Sequence, residues 1–341
     1  MSQTLDITAV DAYLAANLPG YHGPLEAQKF EVGQSNPTYH LKTPDRDYVL
    51  RRKPPGTLLK SAHAVDREFR VQRALAGSDV PVAGMHLLCE DENVIGSMFY
   101  IMDHVRGRNF TDPTMAGVDN ATRAAVIGDM GRVLAALHEV DIDAVGLGDY
   151  GPPGNYIERQ VGRWTKQYRA SETTTQPAMD ALITALGKEM PAEDGQRTLV
   201  HGDYRIDNMI FQADGAACLA VLDWELSTIG HPYADLASVI MQWQLPPGNE
   251  GRGLAGVDRA ALGLPSDEAF IADYCARRGL PGIDHFGYYL GFSFFRMAAI
   301  IQGVLKRALD GNASNPERAL KVGQYVPVFA EHGLKALGRG A

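Results

Sequence analysis

The sequence has few cysteines, and they follow no pattern. Only three occur in 341 residues, at Cys89, Cys218 and Cys275, far apart and without a CxxC pair. Such thiols argue against a disulfide framework and against a zinc site built on paired cysteines. The N-terminus also lacks the basic start and apolar core of a secretory signal. We therefore expect reduced thiols and a cytoplasmic protein.

The chain also lacks an excess of positive charge. Its 32 Lys and Arg residues are outnumbered by 41 Asp and Glu residues, for a formal net charge of -9. No global basic field is available to attract a nucleic acid backbone or an anionic membrane surface. The one long apolar run, residues 288–305, contains Arg296, which favours a buried helix. We expect neither nucleic acid nor a membrane as a partner, and the oligomeric state stays open.

Two common nucleotide-binding motifs are missing. The chain has no GxxxxGK[ST] sequence, which excludes a P-loop. A formal GxGxxG occurs at residues 146–151, but it follows a helical pattern and runs into two prolines. A dinucleotide-binding turn needs a strand before it and a helix after it, so this motif is not a Rossmann turn.

The apolar pattern divides the chain near residue 105. With 45% hydrophobic and 21% charged residues, the composition is that of a globular protein, long enough for two lobes. Residues 1–104, which include an N-terminal helix, predict a small antiparallel sheet with one main helix. Residues 105–341 predict a larger, mostly α-helical lobe. The predicted strands of the first lobe are residues 27–33, 38–42, 48–51, 94–95 and 98–102.

One hairpin interrupts the helical lobe. Strands at residues 209–212 and 217–223 flank a tight turn at Asp214-Gly215. The main helices that we predict around it are residues 121–140, 157–168, 234–243, 268–278 and 286–309. The predicted fold class is α+β.

Polar residues lie at both ends of the hairpin. Asp203 and Asn208 precede it, and Asp223 and Glu225 follow it. Phosphoryl transfer needs a carboxylate near the acceptor hydroxyl and oxygen ligands for Mg²⁺. Asp203 is therefore our candidate base, and Asn208 and Asp223 are candidate metal ligands. Glu225 would point the same way as Asp223 if the chain stays extended.

These residues carry a family resemblance. Residues 201–208, HGDYRIDN, resemble the HGDxxxxN loop of aminoglycoside phosphotransferases and choline kinases, which are relatives of protein kinases. Residues 223–225 resemble the metal-binding DxD of that family. With residues 48–56, the chain looks closest to the kinase-like domain fused to some acyl-CoA dehydrogenases. The resemblance implies a bilobal protein-kinase-like fold that uses ATP and Mg²⁺ to phosphorylate a hydroxyl of a small molecule.

The resemblance also implies nucleotide-binding residues in the first lobe. Arg51 stands where the family has the lysine that holds the phosphates, with Glu68 as its partner. The loop that covers the phosphates would include Gly33, Ser35 and Asn36. The backbone from Asp103 to Val105 would bind adenine.

Other roles belong to the second lobe. His201 and Asp235 would support the catalytic loop. Arg205 lies near Asp203 and could stabilise the transferred phosphoryl group, with a surface ion pair as the alternative. By the family resemblance, the substrate would contact the C-terminal helices, at Trp243, Tyr288, Tyr289 and Phe292.

Two other functions remain open from the sequence. A metal-dependent phosphoesterase could use the same acidic residues with His138, His201 and His231 on two metals, and a pseudokinase would bind nucleotide without turnover. The acceptor is also open. Residues 233–300 contain seven acidic and five basic residues, a weak match to a polycationic aminoglycoside. The acyl-CoA dehydrogenase resemblance suggests a hydroxyacyl thioester or another partly apolar alcohol.

Overall fold

The computed structural model describes residues 5–30, 36–54, 64–248, 252–313 and 315–339. The first part of the chain forms a five-stranded antiparallel sheet in the order β1-β2-β3-β5-β4. Its elements are α1 (Ile7–Asn17), β1 (Glu26–Lys29), β2 (Thr38–Lys42), β3 (Asp47–Arg52), α2 (Val65–Ala74), β4 (Met85–Cys89) and β5 (Phe99–Asp103).

Alternation along the strands gives this sheet two different faces. Leu41 and Leu50 point to one face, where they share a core with Val10 and Leu14 of α1. Val49 belongs to a separate cluster with Phe69 of α2 on the other face. Because side chains alternate along a strand, Arg51 shares the face of Val49. The cation is therefore placed on the side of α2.

The second part of the chain is mostly helical. Its helices are α3 (Asn120–Glu139), α4 (Tyr156–Ser171), α5 (Pro177–Lys188), α6 (Pro232–Trp243), α7 (Asp267–Arg277), α8 (Phe286–Leu309), α9 (Pro316–Gly323) and α10 (Val326–Ala336). Two short antiparallel pairs lie among them: β6 (Thr198–Val200) with β9 (Thr228–Gly230), and β7 (Met209–Phe211) with β8 (Cys218–Val221). The predicted α+β, bilobal architecture is confirmed. The boundary after residue 104 stays a prediction.

Helix α8 is the central element of the helical lobe. It packs against α4, α5, α6, α9 and α10. It is the one described helix with the length and apolarity that crossing a membrane would require, and 67% of its most apolar window is buried inside the structure. Arg296, in its middle, donates through Nη2 to the carbonyl oxygen of Gly202, at 2.8 Å. Arg296, the charged residue of the apolar run, thus holds the backbone of the catalytic loop in place.

Several predicted elements need correction. Residues 94–95 form a turn, and the edge strand is instead Met85–Cys89, whose side chains are mostly half-buried and show no clear alternation. Gly96 adopts a positive φ of 79°, which suits a turn. Helices α5, α9 and α10 and strands β6 and β9 were not predicted. Residues 31–33 of the first predicted strand lie outside the described residues.

A buried histidine on α3 predicts a pH dependence of stability. His138 lies fully inside the lobe, with Nδ1 2.7 Å from the Tyr274 hydroxyl and Nε2 3.5 Å from Asp235. Burial lowers the pKa of His138, although Asp235 opposes this. An unfolded histidine titrates near pH 6.5. Its stabilising effect is therefore present above about pH 6.5 and is lost as the pH falls towards the folded pKa, because unfolding then takes up a proton.

We expect the unfolding free energy to decrease between about pH 7 and pH 5, with a shallower slope in His138→Gln. Urea unfolding at several pH values measures this. His22→Gln, which changes an exposed histidine, is the matched control. An unchanged slope in His138→Gln would show that His138 does not titrate on unfolding.

Candidate functional site

Buried polar groups position the catalytic loop. Asp235, in the first turn of α6, accepts the backbone N–H groups of His201 and Gly202, at 2.6 and 2.9 Å. His201 accepts the Asp203 N–H at Nδ1, at 3.2 Å, so its Nε2 carries the proton donated to the Leu222 carbonyl, at 2.8 Å. His201 therefore connects the catalytic loop to the end of β8.

Glycine is required at the second position of this loop. Gly202 has a φ of 83°, and a Cβ there would lie 2.6 Å from the carbonyl oxygen of Leu226. The left-handed conformation and the close contact both exclude a larger residue without a shift of the backbone. The turn directs the next residue, Asp203, away from the core.

Asp203 and Asn208 are joined by hydrogen bonds. The Asn208 amide nitrogen donates to the main-chain oxygen of Asp203, at 2.9 Å, and to its carboxylate, at 3.1 Å. Because Nδ2 is the donor in both bonds, Oδ1 is the atom of Asn208 suited to a cation. The Asp203 side chain is 35% exposed, so a substrate hydroxyl could reach it.

The hairpin brings Asp223 next to Asn208. The Leu222 N–H donates to the Asn208 carbonyl, at 2.8 Å. Asp223 then adopts φ 64° and ψ 57°, a left-handed conformation that is uncommon outside glycine. Such strain is maintained only where surrounding contacts enforce it, and it occurs often at active sites.

The backbone that places Glu225 at the site differs from the extended conformation that we predicted. Residues Trp224–Leu226 form a 3₁₀ turn, so the chain is not extended there. The Glu225 carboxylate nevertheless lies 3.7 Å from Nη2 of Arg51, the cation that also contacts Asp223. Asn208, Asp223 and Glu225 together offer hard oxygen donors of the kind that Mg²⁺ prefers.

Arg51 bridges the two lobes. Its Nε lies 2.9 Å from Glu68 on α2, and its Nη2 lies 2.7 Å from Asp223 Oδ1. Burial lowers the pKa of Arg51, but Glu68 first, then Tyr100, Asp223 and Glu225, raise it above its ordinary value. The guanidinium is therefore charged, and its fork contacts two carboxylates at once.

Glu68 is almost completely buried and is held by two further donors. Asn36 donates to it through Nδ2, at 2.8 Å, and the Tyr100 hydroxyl donates at 3.1 Å. Burial raises the pKa of Glu68 to about 7, while Arg51 opposes the rise. The carboxylate thus depends on Arg51 for its charge.

The predicted nucleotide-binding residues of the first lobe stay predictions. The Asn36 side chain braces Glu68, and its place in the loop that covers the phosphates is not tested by this contact. Gly33 and Ser35 lie outside the described residues. Asp103 ends β5, and its N–H donates to the Gly84 carbonyl, at 2.8 Å. A base contact there would fall to other backbone groups between Asp103 and Val105.

Arg205 is engaged in an ion pair with Asp207. Nε donates to one carboxylate oxygen at 2.7 Å, and Nη2 contacts the other. Arg252 also contacts Asp207, at 2.7 Å. Nη1 of Arg205 lies 4.0 Å from Asp203. This geometry fits the ion-pair alternative for Arg205. Asp207 was not among the predicted site residues, because it falls at one of the variable positions of HGDxxxxN.

A cavity of about 700 Å³ adjoins the catalytic loop. It lies between residues 205–207, the end of α6 and helices α8, α9 and α10, and its size is typical of a small-molecule site. Its wall from the helices includes Trp243, Phe294, Met297, Ile301, Val322 and Phe329.

The predicted substrate residues on α8 lie on the wrong face of that helix. Tyr288 is buried with its hydroxyl on the Leu186 carbonyl, at 2.9 Å, and Phe292 is buried in the core. Tyr289 stacks on His231, with ring centroids 4.8 Å apart. Of the four residues, only Trp243 lines the cavity. Tyr288 and Phe292 lie on the core-facing side of α8, whereas Phe294, Met297 and Ile301 of the same helix line the cavity.

A two-lobed fold, a catalytic loop that carries Asp203 and Asn208, and a cation shared by both lobes define a protein-kinase-like phosphotransferase. The sequence model described as "Phosphotransferase enzyme family" matches residues 26–284. The chain belongs to this family.

Curated relatives include members of the acyl-CoA dehydrogenase family. The chain is 48% identical over 310 residues to mouse acyl-CoA dehydrogenase family member 10, covering 90% of this chain and 29% of the relative. It is 42% identical over 339 residues to human acyl-CoA dehydrogenase family member 11, covering 97% of this chain and 43% of the relative. The chain therefore spans less than half the length of these relatives.

Solved structures show the same fold. A protein from Ralstonia eutropha JMP134, with a provisional aminoglycoside phosphotransferase name, has a TM-score of 0.91 and 47% identity over 99% of this chain and 100% of its own. Aminoglycoside phosphotransferase APH(4)-Ia, in a ternary complex with AMP-PNP and hygromycin B, has a TM-score of 0.64 and 16% identity over 96% of this chain and 98% of its own.

The bridge formed by Arg51 predicts a graded loss of nucleotide binding. Arg51→Ala should weaken ATP binding by about tenfold to a hundredfold, since hydrogen bonds to charged groups contribute about 1.5–3 kcal/mol. Arg51→Lys should cost less, because it keeps the charge but not the fork. Calorimetric titration with a non-hydrolysable ATP analogue measures both. Arg169→Ala, in an ion pair of the helical lobe, should bind like the parent protein.

Proposed function

We propose that the protein is an ATP- and Mg²⁺-dependent kinase that transfers the γ-phosphate of ATP to a hydroxyl of a small molecule. One observation carries the proposal: Arg51 joins Glu68 of one lobe to Asp223 of the other, beside the Asp203 and Asn208 pair. This supplies a phosphate-binding cation, oxygen donors and a base in one cleft. The AMP-PNP complex of the similar phosphotransferase supports ATP as the donor.

Each residue then has a defined task. Arg51 binds the phosphates and is aimed by Glu68. Asn208, Asp223 and Glu225 would hold Mg²⁺, which when bound neutralises phosphate charge. The Asp203 carboxylate orients the substrate hydroxyl and accepts its proton as the oxygen attacks the γ-phosphate. Arg205 is held by Asp207, and its Nη1 lies 4.0 Å from the Asp203 carboxylate.

Asp203→Asn tests the base. General-base assistance contributes about 10²–10⁴-fold, so turnover should fall by that factor while the binding of Mg²⁺ and ATP is retained. Product formation by mass spectrometry and nucleotide binding by calorimetry measure the two effects. Asp214→Asn, in the exposed hairpin turn, is the control and should keep full turnover.

The same assay separates the alternatives. Phosphate release without ATP consumption would support a phosphoesterase, and nucleotide binding without product on a broad panel of alcohols would support a pseudokinase. The three histidines considered for a phosphoesterase have other partners. His138 contacts Tyr274, His201 contacts Leu222, and His231 lies 3.3 Å from Asp194.

The cavity favours an acceptor that is partly apolar and negatively charged. Arg205, Arg252 and Arg318 line it among apolar side chains. Asp207 is the one acidic residue in the described part of the lining, and it is paired with two of these arginines. A polycationic aminoglycoside would meet like charge there. We propose an anionic alcohol with an apolar portion, of which a hydroxyacyl thioester is one example.

Arg318→Glu tests the charge of the acceptor. We expect the KM for an anionic hydroxylated acceptor to rise about tenfold, equivalent to about 1.4 kcal/mol, with little change in kcat. Arg307→Glu makes the same charge change on an exposed part of α8 outside the cavity lining. A library of anionic, neutral and cationic alcohols identifies the acceptor. Preference for aminoglycosides, or an equal effect of both variants, would contradict the proposed class.

The compartment is a proposal as well. Cys89, Cys218 and Cys275 are all free and buried. Reduced thiols are typical of a cytoplasmic protein.

A further inference from the structure

A second polar cluster lies in the first lobe, and none of its side chains has been given a task in the proposed reaction. It consists of His40 on β2, Asp47 at the start of β3, and His104 just after β5. The register explains why they meet. His40 pairs with Val49 on β3, and Asp47 lies two positions earlier, on the same face. Tyr48 pairs with Asp103, which brings His104 next to Asp47.

The spacing of the polar atoms is close to that of metal ligands. Asp47 Oδ2 lies 3.3 Å from Nε2 of His40 and 3.7 Å from Nδ1 of His104. All three atoms lie within 4.8 Å of one another. Ligands bonded at about 2.0–2.2 Å to a tetrahedral Zn²⁺ are about 3.3–3.6 Å apart. Small side-chain shifts would therefore complete the geometry.

Both histidine nitrogens lie near Asp47 but form no well-aligned hydrogen bond with it. Nε2 of His40 and Nδ1 of His104 are buried, and neither has a hydrogen bond of acceptable geometry in the described parts of the chain. Buried polar atoms are normally satisfied.

The Arg106 guanidinium contacts the Asp47 carboxylate of this cluster. Nη2 of Arg106 lies 2.6 Å from Asp47 Oδ2, and the Arg106 side chain is 78% exposed. Exposed ion pairs contribute only about 0–1 kcal/mol. Arg106 can therefore turn into solvent at little cost. The two histidine side chains are each 24% exposed, which leaves a path for an ion.

We propose that His40, Asp47 and His104 bind a transition-metal ion of the Zn²⁺ class, with the remaining coordination position open to water. Two nitrogen donors and one carboxylate suit Zn²⁺ and disfavour Mg²⁺, which prefers oxygen. Arg106 competes with the ion for Asp47. The proposal does not rest on the kinase activity, because it is argued from the side-chain contacts of these three residues.

The site has a consequence for nucleotide binding. His104 lies between Asp103 and Val105, whose backbone the family resemblance places against adenine. An ion bound to His104 fixes this segment to β2 and β3. Zinc binding should therefore change the affinity for an ATP analogue in the parent protein, and the change should disappear in His104→Ala.

Metal binding to the full chain tests the proposal directly. The chelator-treated protein is titrated with Zn²⁺ against a chromophoric chelator, in excess Mg²⁺ to saturate the oxygen-rich site. We expect one Zn²⁺ per chain, with an affinity at least about tenfold lower in His40→Ala and His104→Ala and higher in Arg106→Ala. His22→Ala, an exposed histidine of the same lobe, should bind like the parent protein.

Asp223→Asn separates this site from the proposed magnesium site. It should retain Zn²⁺ binding even though it removes a ligand of the kinase site. Absence of Zn²⁺ binding to the parent protein would overturn the proposal. So would binding that survives in folded His40→Ala and His104→Ala, with folding checked by circular dichroism, or binding that is lost in Asp223→Asn.

Discussion

The candidate site depends on the ion pairs of the Arg51 guanidinium. This guanidinium is buried between Glu68 and Asp223, so a single charge contacts carboxylates of both lobes. Removing one partner of a buried ion pair leaves an uncompensated charge, which is costly. Glu68 is in turn held by Asn36 and Tyr100. The direction of the cation is therefore set by strands, a helix and the segment after β8 together.

The catalytic loop depends on a second set of buried groups. Asp235 holds the backbone of His201 and Gly202, and Arg296 holds the Gly202 carbonyl from the middle of α8. None of these side chains has to touch a substrate. They fix a turn that only glycine can form without strain, and so they present Asp203 to the cleft.

The proximity of Asp203, Asn208 and Asp223 could be predicted from the sequence because it depends on local structure. Asp203 and Asn208 lie on one loop, and the Asp214-Gly215 turn brings Asp223 back beside that loop. Prediction from the sequence failed where tertiary contacts decide the outcome. The resemblance placed the substrate against the C-terminal helices but did not show which face of α8 is buried, and Tyr288 and Phe292 face the core. Three-residue strands such as Thr198–Val200 exist only through their pairing and leave no periodic signal. The family resemblance predicted that Arg51 is the phosphate-binding cation. Its simultaneous contact with Glu68 and Asp223 could be seen only in the folded structure.

Much of the cavity beside the catalytic loop is lined by a different part of the sequence from the one that carries Asp203, Asn208 and Asp223. Loop, hairpin and Asp223 all fall within residues 26–284, which match the family, whereas α8, α9 and α10 lie after residue 284. Much of the cavity wall comes from these three helices. The segment that matches the family is thus separate in sequence from the helices that line the cavity, so substitutions in the last three helices can change the shape and charge of the cavity without replacing Asp203, Asn208 or Asp223.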